Sequence, residues 1–191
     1  MHASYLILHG IENHRPPGHW QFQLAAKLST LGHQVLYPGL PDPDAPQLEA
    51  WRAALLAGLD ELDATQERIV VCHSLACLLW LRVAPDLEEA RRPDRVMLVA
   101  PPAAASLPAT GAEFAVTEDE LDRDGVIASA KRELILVSSD NDPYNPAGEG
   151  HQDFSVPLGL VTSVFPGAGH FTPDDGYGSW PFVSDWCLGH R

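Results

Sequence analysis

Cysteine is scarce in this chain, and long apolar runs are missing. The only cysteines are Cys72, Cys77 and Cys187, and an odd number without a regular spacing argues against a disulfide-stabilised scaffold. No apolar run approaches the roughly 20 residues that span a bilayer, so we expect no membrane partner. The short apolar run at 5–8 has no basic segment before it, which argues against a secretion signal. We therefore expect a cytoplasmic protein.

Positive charge is also scarce. Only 12 Lys and Arg residues stand against 26 Asp and Glu residues, which gives a formal net charge of -14. Such a surface repels phosphate backbones, so we expect no nucleic-acid partner. Gly10 lacks the further glycines of a dinucleotide-binding loop, and His9, His14 and His19 lack the spacing of a helical zinc site. We therefore predict no cofactor and no metal.

Segments of strand type alternate with segments of helix type along all 191 residues. This alternation predicts one α/β domain over 1–191, a doubly wound and mostly parallel sheet with helices on both faces. The predicted strands are 5–8, 34–37, 68–72, 95–100, 133–138 and 160–165, and the predicted helices are 20–31, 48–62, 75–84 and 180–188. Residues 101–125 interrupt the alternation, being rich in Ala and Pro and then acidic. They are predicted to form either a small lid or a solvated connector.

Ser74 stands alone between an apolar strand and an apolar helix. An α/β-hydrolase carries its nucleophile on such a turn, within the pattern G-x-S-x-G. Cys72 and Ala76 occupy the two glycine positions here, so the strict pattern fails although both residues are small. The alternative role for Ser74 is a helix N-cap. A nucleophilic serine also needs a base and an orienting acid.

Two later loops, each directly after a predicted strand, offer the acid and the base. In the segment 139–143 (SDNDP), Asp140 and Asp142 both qualify as the acid, and an Asx turn is the alternative use of such a cluster. His170 follows two nearby glycines, which allow a tight loop to aim the ring inward. The chain order Ser74, aspartate, His170 is that of the α/β-hydrolases, and the carboxyl ends of parallel strands share one edge of the sheet.

An oxyanion requires two backbone N–H donors. One is predicted at Leu75, the residue after Ser74, and the other at Gly10 or Ile11, in the loop after the first strand. A glycine there permits a close backbone approach. Four further side chains are candidates for the substrate pocket: His9, Tyr144, Phe171 and Phe114. Tyr144 and Phe171 could equally belong to the core.

In order and spacing these motifs resemble the compact α/β-hydrolases related to retinoblastoma-binding protein nine and its bacterial YdeN-like homologues. The matching segments are 8–10 (LHG), 40–43 (LPDP) before Trp51, 73–75 (HSL), 139–143 (SDNDP) and 167–171 (GAGHF). The resemblance implies that Asp142, immediately before Pro143, is the acid. It also implies a serine hydrolase without the leading antiparallel strands of larger relatives. The chain departs from the family at 147–157, a poor helix former where the family has a regular helix.

The sequence therefore predicts a carboxylesterase-like serine hydrolase. Ser74 is expected to attack the acyl carbon of a small ester, thioester or amide, with His170 as the base and Asp142 as the acid. The expected partner is a small acyl substrate. The sequence does not indicate the oligomeric state. Two alternatives remain open: a non-catalytic protein of the same fold that binds a ligand, and an acyltransferase that uses the same acyl-enzyme.

Overall fold

The computed structural model describes residues 2–145 and 154–190, which form a six-stranded sheet between two layers of helices. The strands are β1 (Ala3–Leu8), β2 (Gln34–Leu36), β3 (Glu67–His73), β4 (Arg95–Val99), β5 (Glu133–Ser139) and β6 (Val161–Phe165). The helices are α1 (Trp20–Thr30), α2 (Leu48–Glu61), α3 (Leu75–Val83), α4 (Arg123–Ala128), the single turn α5 (Val156–Leu158) and α6 (Pro181–Leu188). The strand order is β2-β1-β3-β4-β5-β6, and every pair is parallel. The predicted doubly wound α/β fold is confirmed.

Alternate residues of each central strand enter different cores. In β3, Val70 and Cys72 face a core that includes Trp51 of α2, whereas Val71 faces a core that includes Trp20 of α1. Helices α2 and α3 thus cover one face of the sheet, and α1 and α6 cover the other. Because both faces are covered, the central strands are buried along almost their whole length, which explains their nearly continuous apolar sequences.

The segment 101–125 consists of short 3-10 turns followed by the start of α4, and it packs against the domain. The ring centroid of Phe114 lies 5.3 Å from that of Trp51. The carboxylate of Glu113 accepts a hydrogen bond from the backbone N–H of Leu48, at the start of α2. The guanidinium of Arg82 donates to the carbonyl of Ala115. These contacts fix the second half of the segment, and its movement as a lid stays a prediction.

The sequence 147–157 lies mostly outside the described residues, and within its described end α5 begins at Val156. In residues 2–145 and 154–190, no helix is long and apolar enough to cross a membrane.

Candidate active site

The carboxyl edge of the sheet carries the candidate site where the strand order changes direction. Strands β1 and β3 are neighbours, and β2 lies on the far side of β1. In open α/β sheets a crevice forms at such a point, outside the carboxyl ends of the strands. The loop with Gly10 follows β1 and Ser74 follows β3, whereas Asp142 and His170 follow β5 and β6.

Ser74 is the single residue between β3 and α3. Its backbone has φ +56° and ψ -125°, a strained conformation for a residue with a Cβ. Two backbone hydrogen bonds hold the turn. The N–H of Ser74 donates to the carbonyl of Val99 at 2.9 Å, and the carbonyl of Ser74 accepts from the N–H of Cys77 at 2.8 Å. The hydroxyl makes no capping hydrogen bond to α3, so the alternative role as an N-cap does not apply.

A continuous hydrogen-bond series joins Ser74, His170 and Asp142. The hydroxyl of Ser74 lies 2.8 Å from Nε2 of His170. On the other side of the ring, Nδ1 of His170 lies 2.9 and 2.8 Å from the two carboxylate oxygens of Asp142. All three residues are buried, with Asp142 only 2 % exposed. This arrangement lets Nδ1–H donate to the carboxylate while Nε2 accepts the serine proton.

The two candidate aspartates have different partners. Asp142 contacts the ring of His170, whereas Oδ1 of the exposed Asp140 accepts a hydrogen bond from the N–H of Gly167 at 2.7 Å. The Asx turn also exists, because Oδ1 of Asp142 additionally accepts from the N–H of Tyr144 at 2.9 Å. Asp142 therefore orients the imidazole, and Asp140 shapes the loop that carries it.

Three consecutive side chains hold that loop, and we call Ser139, Asp140 and Asn141 the tether residues. In addition to the hydrogen bond between Asp140 and Gly167, the hydroxyl of Ser139 accepts a hydrogen bond from the N–H of Ala168 at 3.0 Å. The side-chain oxygen of Asn141 accepts from the N–H of Gly169 at 2.7 Å. No sequence motif predicts these roles, and the run of short polar residues before Asp142 is the signal that indicates them.

Gly10 contacts the nucleophile directly. A Cβ at this position would lie 2.7 Å from Cβ of Ser74 and 3.1 Å from its Oγ, so only a glycine fits. Leu75 is the first residue of α3, and its N–H therefore has no acceptor within the helix. The predicted oxyanion donors thus adjoin Ser74 from two directions.

Replacing Gly10 by alanine is expected to lower kcat/KM by about 100-fold, because the new methyl group displaces either Ser74 or the oxyanion loop. Gly18 provides a matched control in the same loop, since a Cβ there would meet no atom within 4 Å. The measurement is ester hydrolysis by both variants, with circular dichroism to verify folding. Equal activity of the two variants would contradict the close approach.

The cavity above Ser74 has a volume of about 620 Å³. Its walls come from the loop after β1, from the start of the 101–125 segment and from residues near His170. Tyr144 lines this cavity, with 46 % of its surface exposed and its ring centroid 4.5 Å from that of His170. Most of the remaining wall is apolar, including Ile11, Leu107 and Pro108.

Three of the predicted pocket residues do not line this cavity. Phe171 is fully buried and stacks on Trp180 at 4.8 Å, because its backbone turns at φ +56° and directs the ring into the core. Phe114 is buried beside Trp51. His9 is buried below the oxyanion loop. For Phe171 and His9 the prediction was wrong because adjacency along the chain does not determine the direction of a side chain. For Phe114 it was wrong because the 101–125 segment turns this ring onto α2.

His9 instead fixes the loop that contains Gly10. Its Nδ1 lies 2.8 Å from the Gly10 carbonyl, and its Nε2 accepts a hydrogen bond from the N–H of Leu40 at 2.9 Å. Both bonds are satisfied only by the neutral ring with its proton on Nδ1. Burial lowers the pKa of His9, which favours that neutral form. His9 therefore positions the predicted oxyanion donors.

Two further histidines near the site were not among the predicted site residues. His73 donates from Nε2 to the carbonyl of His170 at 2.9 Å, and burial holds the pKa of His73 well below its usual value. His19 is the N-cap of α1 and lines the cavity. Burial, followed by the nearness of His170, lowers the pKa of His19 to about 4. The signal in the sequence was the position of each residue at the end of a strand or the start of a helix.

The low pKa of His19 predicts a loss of stability in mild acid. Below its usual pKa of about 6.5 the unfolded chain binds a proton at His19, whereas the folded chain binds it only near pH 4. The free energy of unfolding should therefore fall between pH 6.5 and 4, and His19 should contribute about 2 kcal/mol of that loss by pH 5. Urea unfolding at pH 7 and pH 5 measures this loss.

The variant His19→Asn is the matched control for this prediction. Asparagine is also a favourable N-cap, so it can replace the acceptor that His19 provides for the N–H of Gln21. Its stability should fall about 2 kcal/mol less than that of the wild type between pH 7 and pH 5. The same loss in both proteins would show that His19 is not kept neutral by the fold.

Comparison with known proteins agrees with this architecture. The ydeN gene product of Bacillus subtilis shares 26 % identity and a TM-score of 0.82, with 98 % of each chain covered. A YdeN-like hydrolase from Pectobacterium atrosepticum shares 18 % identity and a TM-score of 0.75, over 99 % of this chain and 90 % of its own. Est1E from Butyrivibrio proteoclasticus shares 17 % identity and a TM-score of 0.64, over 99 % of this chain and 88 % of its own. A search of curated proteins found no match.

The family assignment rests on nearly the whole chain. A family model described as serine hydrolase matches residues 5–187, a range that begins in β1 and ends in α6. It therefore includes the serine turn, the acid loop and the histidine loop described above. The chain belongs to the serine hydrolase family and is a small α/β-hydrolase of the YdeN-like type.

Proposed function

We propose that this protein hydrolyses a small uncharged ester, thioester or amide through an acyl-enzyme on Ser74. The observation that carries the proposal is the hydrogen-bond series from Ser74 through His170 to Asp142. A buried serine that contacts a base, which in turn contacts a buried carboxylate, is the arrangement that activates a hydroxyl for acyl transfer. It also argues against a purely binding role, which would not require this contact.

The proposed reaction has two halves. In the first, Oγ of Ser74 attacks the carbonyl carbon while Nε2 of His170 takes the hydroxyl proton, and Asp142 stabilises the resulting imidazolium. His170 then passes that proton to the leaving group as the bond to the carbonyl carbon breaks. In the second half, water gives a proton to His170 and attacks the acyl-enzyme. As this intermediate collapses, the bond from the acyl carbon to Oγ breaks, His170 returns its proton to Oγ of Ser74, and the acid is released.

The developing oxyanion would be held by backbone donors. We assign this role to the N–H groups of Leu75 and of Gly10 or Ile11, since the serine turn and the Gly10 loop adjoin each other. Donors that are already oriented in a buried site stabilise the charge without reorganisation. The hydrogen bonds of His9 to the Gly10 carbonyl and to Leu40 support this orientation from below.

The cavity supports an uncharged substrate. Among the residues that the structure assigns to its wall, Glu12 is the only carboxylate, and no Lys or Arg is present to bind an anion. The net charge of -14 acts in the same direction. Est1E has also been crystallised with ferulic acid, and another similar structure is the thioesterase domain of the curacin pathway. These proteins make ester and thioester substrates the first to examine here.

Labelling with a fluorophosphonate tests the proposal. The probe should phosphonylate Ser74 with loss of fluoride, and peptide mapping should find the adduct on that residue alone. The variant Ser74→Ala should remain unlabelled. If folded wild-type protein does not react, the activated nucleophile is refuted. If it reacts, adding an alcohol during ester turnover separates hydrolysis from acyl transfer by the products formed.

A further inference from the structure

His19 presents an unpaired hydrogen-bond donor to the cavity. Its Nδ1 accepts a hydrogen bond from the N–H of Gln21 at 3.2 Å, at the start of α1. An acceptor nitrogen carries no proton, so in the neutral ring the proton must be on Nε2. The neutral form prevails at pH 7, because the pKa of His19 is lowered to about 4.

The position of Nε2 follows from its surroundings. Only 3 % of the surface of His19 is exposed, and the residue lines the cavity. Within residues 2–145 and 154–190, Nε2 has no hydrogen-bond acceptor. The atom is nevertheless accessible to solvent. The opening that it faces is therefore the cavity. His9 and His73, by contrast, each donate to a backbone carbonyl.

The donor belongs to a ring beside the base but outside the hydrogen-bond series of Ser74, His170 and Asp142. The ring of His19 is 5.2 Å from that of His73, which is 5.1 Å from that of His170. His73 thus contacts both rings. The donor of His19 faces a cavity whose nearby wall includes Ile11 and Pro16. A few placed polar groups in a largely apolar wall give a pocket its specificity.

We propose that Nε2–H of His19 donates a hydrogen bond to an ether, carbonyl or hydroxyl oxygen of the substrate that is not part of the scissile group. The preferred substrates are then uncharged esters that carry such an oxygen on an otherwise apolar group. This inference rests on the proposed hydrolase function and makes His19 a specificity-determining residue. An ester without the oxygen leaves the donor unpaired and loses the selectivity that the bond provides.

The first test compares esters that differ by one atom. In one pair a methylene of the acyl chain is replaced by an ether oxygen, and in a second pair the same exchange is made in the alcohol. We define the selectivity ratio as kcat/KM of the oxygen-bearing ester divided by kcat/KM of its alkyl partner. For at least one pair, His19→Asn should lower this ratio by about 5-fold, mainly by raising KM of the oxygen-bearing ester. The kcat/KM of the alkyl ester should fall much less than that of the oxygen-bearing ester. A structural role would lower both esters equally, which would overturn the proposal.

A control variant separates His19 from the rest of the wall. Ser106 also lines the cavity with a hydroxyl, and Ser106→Ala should leave the selectivity ratio unchanged. If Ser106→Ala changes the selectivity ratio as much as His19→Asn does, the selectivity comes from the overall polarity of the cavity and the proposal fails.

The second test does not depend on turnover. In ¹⁵N-histidine spectra, the resonances missing from His19→Asn identify His19, and they should report the neutral Nε2–H tautomer at pH 7. In Ser74→Ala, the oxygen-bearing ester of the more selective pair should shift the Nε2–H signal, whereas its alkyl partner should not. An Nδ1–H tautomer, or equal shifts with both esters, overturns the assignment of His19 even if hydrolysis is established.

Discussion

Replacing Ser74 by alanine is expected to lower kcat by about 10⁵-fold while the protein remains folded. The hydroxyl lies 2.8 Å from Nε2 of His170, in position to give up its proton. Without it His170 can only activate water directly, and the oxyanion donors supply the residual rate. Hydrolysis of short p-nitrophenyl esters measures the loss. A Ser74→Ala variant that keeps more than a small fraction of the activity would assign the reaction to another residue.

The same position allows an independent check through stability. Because Ser74 adopts φ +56° and ψ -125°, the turn stores strain that a residue without a Cβ would not feel. Ser74→Gly should therefore unfold at a higher temperature than Ser74→Ala, with a free energy of unfolding about 1 kcal/mol larger. Both variants lack the hydroxyl, so the comparison isolates the backbone. A glycine variant less stable than the alanine variant would contradict the strained turn.

Replacing Asp142 by asparagine is expected to lower kcat by about 10⁴-fold. The carboxylate accepts from Nδ1–H of His170 and so keeps Nε2 free for the serine proton. An amide in its place can hold the ring in the other tautomer, in which Nε2 carries a proton and cannot act as a base. It also lacks the negative charge that stabilises the imidazolium. Ester turnover and the rate of fluorophosphonate labelling should fall together.

Asp140→Asn is the matched control for Asp142→Asn. Asp140 is exposed, and its bond to the N–H of Gly167 needs only an oxygen acceptor, which asparagine keeps. We expect its activity to stay within about 10-fold of the wild type, because no ionised partner of His170 is lost. If Asp140→Asn proves the more damaging change, the acid has been assigned to the wrong aspartate.

The order of strands and helices could be predicted because burial imposes a simple pattern on this chain. Strands covered on both faces read as apolar runs, as in β3, and the covering helices repeat apolar residues at helical spacing, as Trp51 and Leu55 do in α2. The location of Ser74 follows from the junction of these two patterns. The edges of elements are less distinct, and α6 begins at Pro181, one residue after the predicted start.

The direction of individual side chains could not be predicted in this way. Phe171 follows His170 in sequence, yet a positive φ turns its ring away from the cavity. In the sequence His19 belongs only to a histidine spacing that does not suit a helical zinc site, because its proximity to His73 depends on how α1 packs against the sheet. Both cases depend on contacts between segments distant in sequence, which a local pattern does not contain.

The tether residues have a consequence for how this family can change over time. The loop at 167–169 takes its shape from the side chains at 139–141, on a different strand connection. The donors at 167–169 are backbone N–H groups, which every residue except proline supplies, so the dependence runs in one direction. Across relatives, short side chains with an acceptor oxygen should therefore persist at 139–141, and proline should be absent from 167–169.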